Sequence, residues 1–293
     1  YKQSKQNTLL EVSLSYAKEF KKIHSKLDLL VGHGYQDFLT NVYNFASYSQ
    51  AGKFITGTDP KPDEKQRFRL ESFFGRMNFA YKSKYLLTAS LRRDASSRFA
   101  KDYRVGYFPA FAAAWKLKDD FFKNSHILSD LKLRGGWGVT GQQDGIGNYD
   151  YLARYSLSTT TAQYQFGNNF FYFYRPAPYY PKLKWETTTT QNLGLDFGFL
   201  NNRISGSVDF YLKKTKDLLS VVDQAPGQNF NISLLRNIGN LENSGIEFTV
   251  NTVPVKKQNL TWELGFNITA QSTKITKLTN IVDPSFSESG LRF

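Results

Sequence analysis

One set of polar side chains in this sequence has the chemistry of a ligand-binding surface. Carboxylates, amides and a phenol recur at alternate positions of several stretches, and they offer donors and acceptors to the hydroxyl or amide groups of a ligand. The set comprises Asn192, Asp196, Asp209, Tyr211, Glu247, Asn251 and Asn267. For any single residue the favoured alternative is that it merely solvates a polar surface or contacts another part of the protein.

A second set is aromatic and lies in the irregular stretch 141–184. Exposed aromatic side chains on this scale mark interaction surfaces, and tyrosine suits places where one ring must both stack and hydrogen-bond. Three alternative roles are open for these rings, in decreasing order of expectation: packing against neighbouring loops, contact with a partner, and stacking on sugar rings or peptide side chains. Tyr149, Tyr151 and Tyr155 are the predicted ligand contacts, and the cluster 170–174 is predicted to be buried within the loop layer or against a partner.

Catalysis has no support in the residue types or their spacing. Glu186 and Asp196 lie ten residues apart on one predicted strand, or ~33 Å, whereas glycosidase carboxyl pairs lie roughly 5 to 10 Å apart. No GxSxG, HExxH or phosphate-cradling glycine motif is present. Cysteine is absent, and the histidines at 24, 33 and 126 form no ligand spacing. The sequence therefore predicts no catalytic residue, no cofactor and no metal site, and we expect a protein that is not an enzyme.

The elements that carry the polar set are stretches in which every second residue is apolar. Residues 192–199 alternate between Leu193, Leu195, Phe197 and Phe199 on one side and asparagine, glycine and aspartate on the other. After the turn at 200–203 the alternation resumes with Ile204, Val208, Phe210 and Leu212. A period of two places the two sets on opposite faces of a β-sheet. One face is apolar and the other carries the charges.

The same alternation returns along most of the chain. It recurs at 10–16, 27–31, 73–81, 84–94, 131–140, 246–251 and 260–269. The turns at 82–83, 200–203 and 254–259 are short, whereas the connections 95–104, 141–184 and 213–243 are long. Aromatic residues gather beside the short turns, as Phe79, Tyr81 and Tyr85 do.

Two architectures fit this pattern: a soluble β-sandwich or barrel with the apolar face inside, and a membrane barrel with the apolar face toward lipid. A tilted strand that crosses the hydrocarbon needs about 9–11 residues, and these stretches are of that length. Membrane barrels also combine short turns at one end with long loops at the other and have aromatic girdles at both interfaces. The pattern favours an all-β, antiparallel transmembrane β-barrel, with the soluble domain as the alternative.

Composition and charge agree with this interpretation. The aromatic content of 16% is high, and no run of about 18 apolar residues predicts a membrane helix. The net charge of +13 raises the possibility of nucleic-acid binding, but the basic pairs Lys21-Lys22, Lys213-Lys214 and Lys256-Lys257 are dispersed at strand ends and turns. Such positions suit a lipid headgroup interface. We therefore expect outer-membrane lipid as a partner and no nucleic acid.

Several long stretches together resemble the SusC/RagA group of TonB-dependent outer-membrane transporters of Bacteroidota. The resemblance rests on KYLLTASLRRDASSRFA (84–100), GYFPAFAAAWKLKDDFF (106–122), LKLRGGWGVTGQQ (131–143), LKWETTTTQNLGLDFG (183–198), YLKKTKDLL (211–219) and NIGNLENSGIEF (237–248). The family usually has glycine where Ala95 stands. The order of these stretches is kept over nearly all of residues 8–280.

The resemblance implies a barrel of roughly 22 strands with a plugged lumen. This chain, residues 1–293, would be a single partial barrel domain of about ten or eleven strands, with the N-terminal plug, the TonB-binding segment and the last strands outside it. An open sheet of such strands leaves two unpaired edges, which also suggests that the intact molecule supplies more. A helical turn is expected around residues 120–123. The implied location is the cell outer membrane of a Gram-negative bacterium.

The resemblance also implies active import of oligomeric nutrients such as glycans. The implied partners are a SusD-like surface lipoprotein that acts as a lid, the TonB–ExbB–ExbD complex, and an oligosaccharide or peptide cargo. On this interpretation the polar set faces the lumen, and the cluster 170–174 packs in the loop layer or against the lid. The alternatives are a peptide importer of the RagA type, a passive porin or adhesin barrel, and a soluble carbohydrate-binding β-domain.

Overall fold

A computed structural model describes residues 2–55, 64–159, 161–223, 233–278 and 291–292. Its strands are β1 (Lys2–Phe20), β2 (Ser25–Tyr43), β3 (Glu64–Tyr81), β4 (Tyr85–Ser96), β5 (Val105–Lys116), β6 (Leu128–Gln142), β7 (Tyr155–Leu157), β8 (Tyr164–Phe166), β9 (Asn169–Phe171), β10 (Tyr174–Pro176), β11 (Glu186–Phe199), β12 (Ile204–Lys216), β13 (Leu219–Asp223), β14 (Ser233–Asn237), β15 (Asn240–Lys257), β16 (Leu260–Lys277) and β17 (Leu291–Arg292). One short helix, α1 (Lys118–Phe121), and the 3-10 turns Lys21–Ile23 and Lys101–Tyr103 complete the described elements.

The described long strands form one ten-stranded antiparallel sheet in the order β1-β2-β3-β4-β5-β6-β11-β12-β15-β16. Each strand pairs with its chain neighbours among these ten, so the sheet is an up-and-down meander. The hairpin predicted from the residues near 10–16 and 27–31 is confirmed, with Leu14 opposite Val31 and Tyr16 opposite Leu29. The expected antiparallel β architecture is therefore observed.

The predicted alternation places the apolar residues on one face of this sheet, which we call the apolar face. Its side chains include Leu193, Phe210 and Trp262, and Trp262 is 53% exposed. The charged and amide groups of the sheet lie largely on the opposite, polar face. An apolar sheet surface this extensive and this exposed is the inverse of a soluble sandwich, in which such a face packs against a second sheet. It matches a surface that meets lipid.

The two ends of the sheet differ as the sequence predicts. At the turn end, the connections 21–24, 82–84, 200–203 and 258–259 are short, whereas 117–127, which contains α1, is longer than the loop-end connection 97–104. At the loop end, the connections 44–63, 97–104, 143–185 and 217–239 join the same strands, and residues 56–63, 160 and 224–232 within them lie outside the described part. The turn at Lys82 and Ser83 has positive φ at both residues, and the Lys84 amide donates to the Tyr81 carbonyl. This type I′ geometry suits the twist of a hairpin.

Some boundaries differ from the sequence-based expectations. The ten sheet strands run 12 to 19 residues, longer than the predicted stretches of about ten. β15 continues to Lys257 through an irregularity between Thr252 and Val255, so the predicted turn at 254–259 shrinks to 258–259. α1 begins at Lys118, slightly before the expected helical turn at 120–123. No helix in the described ranges has the length and apolar character needed to cross a membrane.

Most of the buried apolar side chains lie at the loop end. Phe99, Phe108, Ile146, Leu183 and Trp185 form one cluster, and the Trp185 indole donates to the Arg104 carbonyl at 3.1 Å. These residues come from the connections 97–104 and 143–185 and from the strand segments that adjoin them. The cluster therefore fixes the long connections to the rim of the sheet, because burial of these rings requires the connections to stay together.

Candidate binding surface on the polar face

The polar face carries an ion network of four residues on three neighbouring strands. β6 contributes Lys132 and Arg134, β11 contributes Asp196, and β12 contributes Asp209. Lys132 Nζ lies 2.6 Å from Asp196 Oδ2, Arg134 Nε lies 2.9 Å from Asp196 Oδ1, and Arg134 Nη2 lies 2.6 Å from Asp209 Oδ1. The two cations and two carboxylates therefore balance each other.

A glycine permits this network. The register places Arg134 opposite Gly194 and Gly194 opposite Asp209. A Cβ atom on Gly194 would lie 2.5 Å from Asp209 Oδ1 and 2.7 Å from Arg134 Cζ, closer than real Cβ contacts allow. The guanidinium therefore crosses over β11 to Asp209 because position 194 has no side chain.

The network keeps access to solvent from the polar face. The side chains of Asp196 and Asp209 are 22% and 20% exposed. Charge-assisted hydrogen bonds of this kind are stronger than neutral ones, and they hold both carboxylates in fixed positions. The arrangement can therefore present fixed oxygen and nitrogen atoms to a polar molecule, although most of their charge is already paired.

Two further members of the predicted polar set lie across glycines. Tyr211 reaches over Gly245, and its hydroxyl group donates to Gln271 Oε1 at 3.2 Å. Asn192 leans over Gly136 at the edge of a shallow groove of about 250 Å³. On the polar face this groove is lined by Thr88, Ser90, Ala110, Ala112, Gly136, Gly138, Thr190 and Asn192. Because these residues are small, a groove forms on the sheet surface beside the amide of Asn192.

Glu247 is the exposed carboxylate of the predicted set. It lies directly opposite Asp209, whose own charge is satisfied by Arg134. Among the ion pairs of the described residues, none includes Glu247. It is therefore the member of the set whose charge remains available to a ligand or a partner.

The loop tyrosines do not join this set. The Tyr149 hydroxyl accepts a hydrogen bond from the Arg67 backbone amide at 3.1 Å and lies 3.4 Å from the Lys65 carbonyl on β3. Tyr151 is half-buried in the following turn, whereas Tyr155 begins β7 and is 70% exposed. The structure therefore gives Tyr149 an anchoring contact and leaves Tyr155 free in the described chain.

The aromatic cluster 170–174 is exposed. Its members Phe170, Phe171, Tyr172, Phe173 and Tyr174 are all large exposed apolar side chains, so the predicted burial within the loop layer is not seen in the described chain. β8 and β9 form a separate hairpin, and neither Phe170 nor Phe171 belongs to the buried cluster at Trp185. Burial of these rings against a partner stays a prediction.

The alternation of residues does not identify the cations of the network. It places Lys132 and Arg134 on the polar side of their strand without marking them as members of the candidate site. The same holds for Arg92, which donates to both oxygens of Asp94 at 2.8 and 2.9 Å and to the Ser72 hydroxyl at 2.7 Å. A usable signal was a glycine at the strand position between two opposite charges, as at Gly194, but it requires the register between strands.

At the turn end, the carboxylate of Asp120 in α1 accepts hydrogen bonds from three donors. Its carboxylate accepts from Lys84 Nζ at 2.6 Å, from the Trp115 indole at 2.8 Å and from the Tyr85 hydroxyl at 2.9 Å, and Lys84 also donates to the Asp119 carbonyl. The hydrogen bond from Lys84 is the main reason that the pKa of Asp120 lies well below its ordinary value. Within the described ranges no group of His, Asp or Glu has the geometry of a metal site.

Comparison with known proteins is consistent with this geometry. Residues 3–289 match the family model described as "TonB dependent receptor-like, beta-barrel". The chain is 42% identical to "TonB-dependent receptor SusC" of Bacteroides thetaiotaomicron, over 97% of this chain and 28% of the relative. It is 34% identical to "TonB-dependent receptor P3" of Formosa agariphila, over 93% of this chain and 27% of the relative. The chain thus spans under a third of the length of these curated relatives.

Solved structures show the same fold. A structure of the RagAB peptide transporter superposes with a TM-score of 0.77 at 24% identity, over 95% of this chain and 32% of that one. The siderophore receptor PirA from Pseudomonas aeruginosa gives a TM-score of 0.55 at 15% identity, over 92% of this chain and 44% of that one. At these identities the likeness concerns the fold.

Proposed function

Because this chain belongs to the TonB-dependent receptor β-barrel family, within its SusC/RagA group, we propose that it forms part of the wall of an outer-membrane transporter that imports oligomeric nutrients. The observation that carries the proposal is the polar face, with its fixed ion network beside the free carboxylate of Glu247. In a barrel whose apolar face meets lipid, this face lines the lumen. A cargo that crosses the membrane would pass along it.

Glycans are the proposed cargo. Sugar hydroxyl groups form hydrogen bonds with carboxylates, guanidinium groups and amides, such as those of Asp196, Arg134 and Asn192. The exposed rings of the 143–185 connection, including Tyr155, suit stacking on sugar faces. The resemblance to the SusC/RagA group, with 42% identity to the SusC receptor, implies oligomeric nutrients such as glycans.

A peptide cargo is the second candidate. It is favoured by the TM-score of 0.77 to the RagAB peptide transporter and by the same polar groups, which also pair with peptide amides. Both candidates include a surface lipoprotein as a lid and energy input through the TonB–ExbB–ExbD complex. The exposed cluster 170–174 is the proposed contact with the lid.

Uptake by cells that carry the full-length protein tests the transport proposal. Labelled oligosaccharides and labelled oligopeptides are supplied separately, with and without the segment of the intact protein that binds TonB. We expect oligosaccharide uptake that falls to background when this segment, or the adjacent gene for the lipoprotein, is deleted. Uptake that continues without the TonB-binding segment would instead identify a passive porin, and uptake of peptides alone would overturn the glycan assignment.

Cargo contact at Glu247 is tested by the variant Glu247→Gln. Loss of one hydrogen bond to a charged group lowers cargo affinity by about tenfold. The matched control is Glu242→Gln on the same strand, because Glu242 pairs with Lys214 at 3.3 Å on the opposite side of the sheet. Equal affinities for the two variants and the parent protein would remove Glu247 from the site. The variant Tyr155→Ala tests the loop in the same cargo-affinity assay. Tyr149→Ala is the comparison, because the Tyr149 side chain anchors the loop.

A further inference from the structure

The turn end of the sheet has a charge distribution that transport does not use. The five connections at the turn end, taken with two strand residues on either side, carry eleven lysines and arginines against three carboxylates, an excess of eight out of the chain's net +13. The cations are Lys21, Lys22, Lys26, Lys82, Lys84, Lys116, Lys118, Lys123, Arg203, Lys256 and Lys257, and the carboxylates are Glu19, Asp119 and Asp120. We call these residues the basic rim. Every turn-end connection contributes to it.

Most of the basic rim is unpaired. Lys84 is held by Asp120 and Lys26 lies 3.4 Å from Asp28, whereas the other nine cations make no ion pair with a described residue. At the loop end, the Asp37 carboxylate binds Arg67 and Arg69, and the Asp94 carboxylate binds Arg92. A row of unpaired like charges costs free energy through mutual repulsion, so an anionic counterpart stabilises it.

An aromatic band borders the basic rim on the apolar face. The ring centres of Tyr81 and Tyr85 lie 6.1 Å apart and those of Tyr85 and Trp115 lie 5.8 Å apart, and both pairs are stacked. The ring centres of Trp115 and Phe121 lie 5.5 Å apart. Lys82 Nζ lies 5.2 Å from the centre of the Tyr81 ring. Aromatic rings followed by lysines are the arrangement of a membrane interface, where the rings sit at headgroup level and the lysines extend beyond them.

Exposed apolar side chains accompany the lysines in the turns. Ile23 follows Lys22 and is exposed, and Phe121 and Phe122 precede Lys123 and are also exposed. Water offers these side chains no compensation, whereas the boundary between acyl chains and headgroups suits an apolar side chain next to a cation. The same short segments therefore present both components that an anionic phospholipid surface would bind.

We propose that the basic rim binds the phosphate headgroups of anionic phospholipids in the membrane leaflet at the turn end. The aromatic band fixes the depth of the barrel, and the unpaired lysines then lie at the level of the lipid phosphates. Attraction of lysine and arginine to an anionic surface is additive over several residues and falls with ionic strength. Lipid binding by the basic rim requires that the barrel lies in a membrane, but it does not require import. The proposal of lipid binding and the proposal of import can therefore fail independently.

The test compares two triple variants of the full-length protein in a neutral detergent. One removes rim charges in three different turns, as K22Q/K82Q/K257Q. The control removes three exposed lysines from the loop end, as K53Q/K101Q/K182Q. The probe is fluorescent phosphatidylglycerol, with phosphatidylcholine as the neutral lipid, and heat-modifiable migration on gels verifies folding of each variant.

We expect the rim variant to lose roughly fivefold in phosphatidylglycerol affinity for each lysine removed, or on the order of 100-fold in total at low salt. Phosphatidylcholine binding and the control variant should be unchanged, and added salt should reduce the difference. The proposal is overturned if both variants lose affinity equally or if the parent does not distinguish the two lipids. It is also overturned if the rim variant keeps its lipid affinity and instead loses binding to an acidic protein. If the triple variant does not fold, the three single variants should each show the fivefold loss.

Discussion

At the scale of residues, the polar face depends on side chains that are absent as much as on those present. Arg134 reaches Asp209 only because Gly194 stands between them, and Tyr211 reaches Gln271 across Gly245 in the same way. In both places a glycine on the intervening strand allows a long side chain to cross that strand and contact the next one. The cost is a weaker intrinsic strand preference at each glycine.

A valine at position 194 tests this dependence. We expect Gly194→Val to lower the free energy of unfolding of the intact protein by about 1–3 kcal/mol, because the new side chain must displace Arg134 from Asp209. Urea unfolding from lipid vesicles measures the change. The control is Gly135→Val on the neighbouring strand, where a Cβ atom would find only ordinary contacts at 3.7 Å and beyond. Similar losses for both variants would show that the cost is general to glycines of this sheet.

Asp120 provides a second residue-scale prediction, which concerns pH. Hydrogen bonds from Lys84, Trp115 and Tyr85 lower the pKa of Asp120 in the folded protein. The ionised carboxylate therefore stabilises the folded state, and this contribution is fully present at pH values above the ordinary pKa of 3.8. This contribution is lost as the pH falls from there through the lowered pKa. The parent protein should therefore lose more stability between pH 7 and pH 3 than Asp120→Asn does.

Urea midpoints at the two pH values give the comparison. Asp119→Asn is the control, because Lys84 donates its hydrogen bond to the backbone carbonyl of Asp119, which the substitution leaves in place. It should follow the parent. A parent and an Asp120→Asn variant with the same pH dependence would show that the cluster at Asp120 does not stabilise the folded state through its charge.

At the scale of elements, each long strand separates two environments. Leu195 lies opposite Val208, and Val208 lies opposite Phe248, so one row of the apolar face crosses three strands. Asp196 and Asp209 lie one position away on the same strands and belong to the ion network. A shift of register by one residue would therefore exchange lipid-facing and lumen-facing side chains along a whole strand.

Arginine substitutions distinguish the two faces. Leu195→Arg and Phe248→Arg should each destabilise the intact barrel by about 2–4 kcal/mol if the site lies near the membrane midplane, whereas Thr249→Arg on the polar face should be tolerated. Heat-modifiable migration and urea unfolding in vesicles provide the measurements. Equal effects on the two faces would contradict a membrane barrel.

At the scale of the whole molecule, the sheet is open in the described ranges. Among the described strands, β1 pairs only with β2 and β16 only with β15, so each edge of this described sheet presents an unpaired row of backbone groups. In hydrocarbon each unsatisfied backbone group costs several kcal/mol, which is why membrane strands form closed barrels. We therefore propose that residues 1–293 are one partial barrel domain whose two edges pair with further strands of the intact protein.

Production of this chain alone tests the proposal about the edges. In detergent we expect oligomers or aggregates, because free edges pair with one another, while the full-length protein remains monodisperse. Size-exclusion chromatography with light scattering measures the difference. A monomeric, heat-modifiable chain would mean that the ten strands close or protect their own edges.

The sequence by itself determined the strands, their two faces and the difference between the two ends. Those features depend on local rules: a period of two fixes the face of each side chain, and short polar turns fix which strands are neighbours. The antiparallel order and the hairpin near Leu14 and Val31 follow from such local information, whereas the similarity to TonB-dependent receptors rests on long stretches of sequence that resemble the family. Strand lengths were underestimated, because charged residues continue a strand beyond its apolar part.

Only the tertiary structure decided which residues meet. The network of Arg134 with Asp196 and Asp209 joins positions 62 and 75 residues apart, and it depends on the register of three strands, which alternation alone leaves undetermined. For the same reason Tyr149 could not be distinguished from Tyr155: one hydroxyl group meets the backbone of β3, and the other ring meets solvent. A side chain's face is a local property of the chain, whereas its partners follow from how distant strands align.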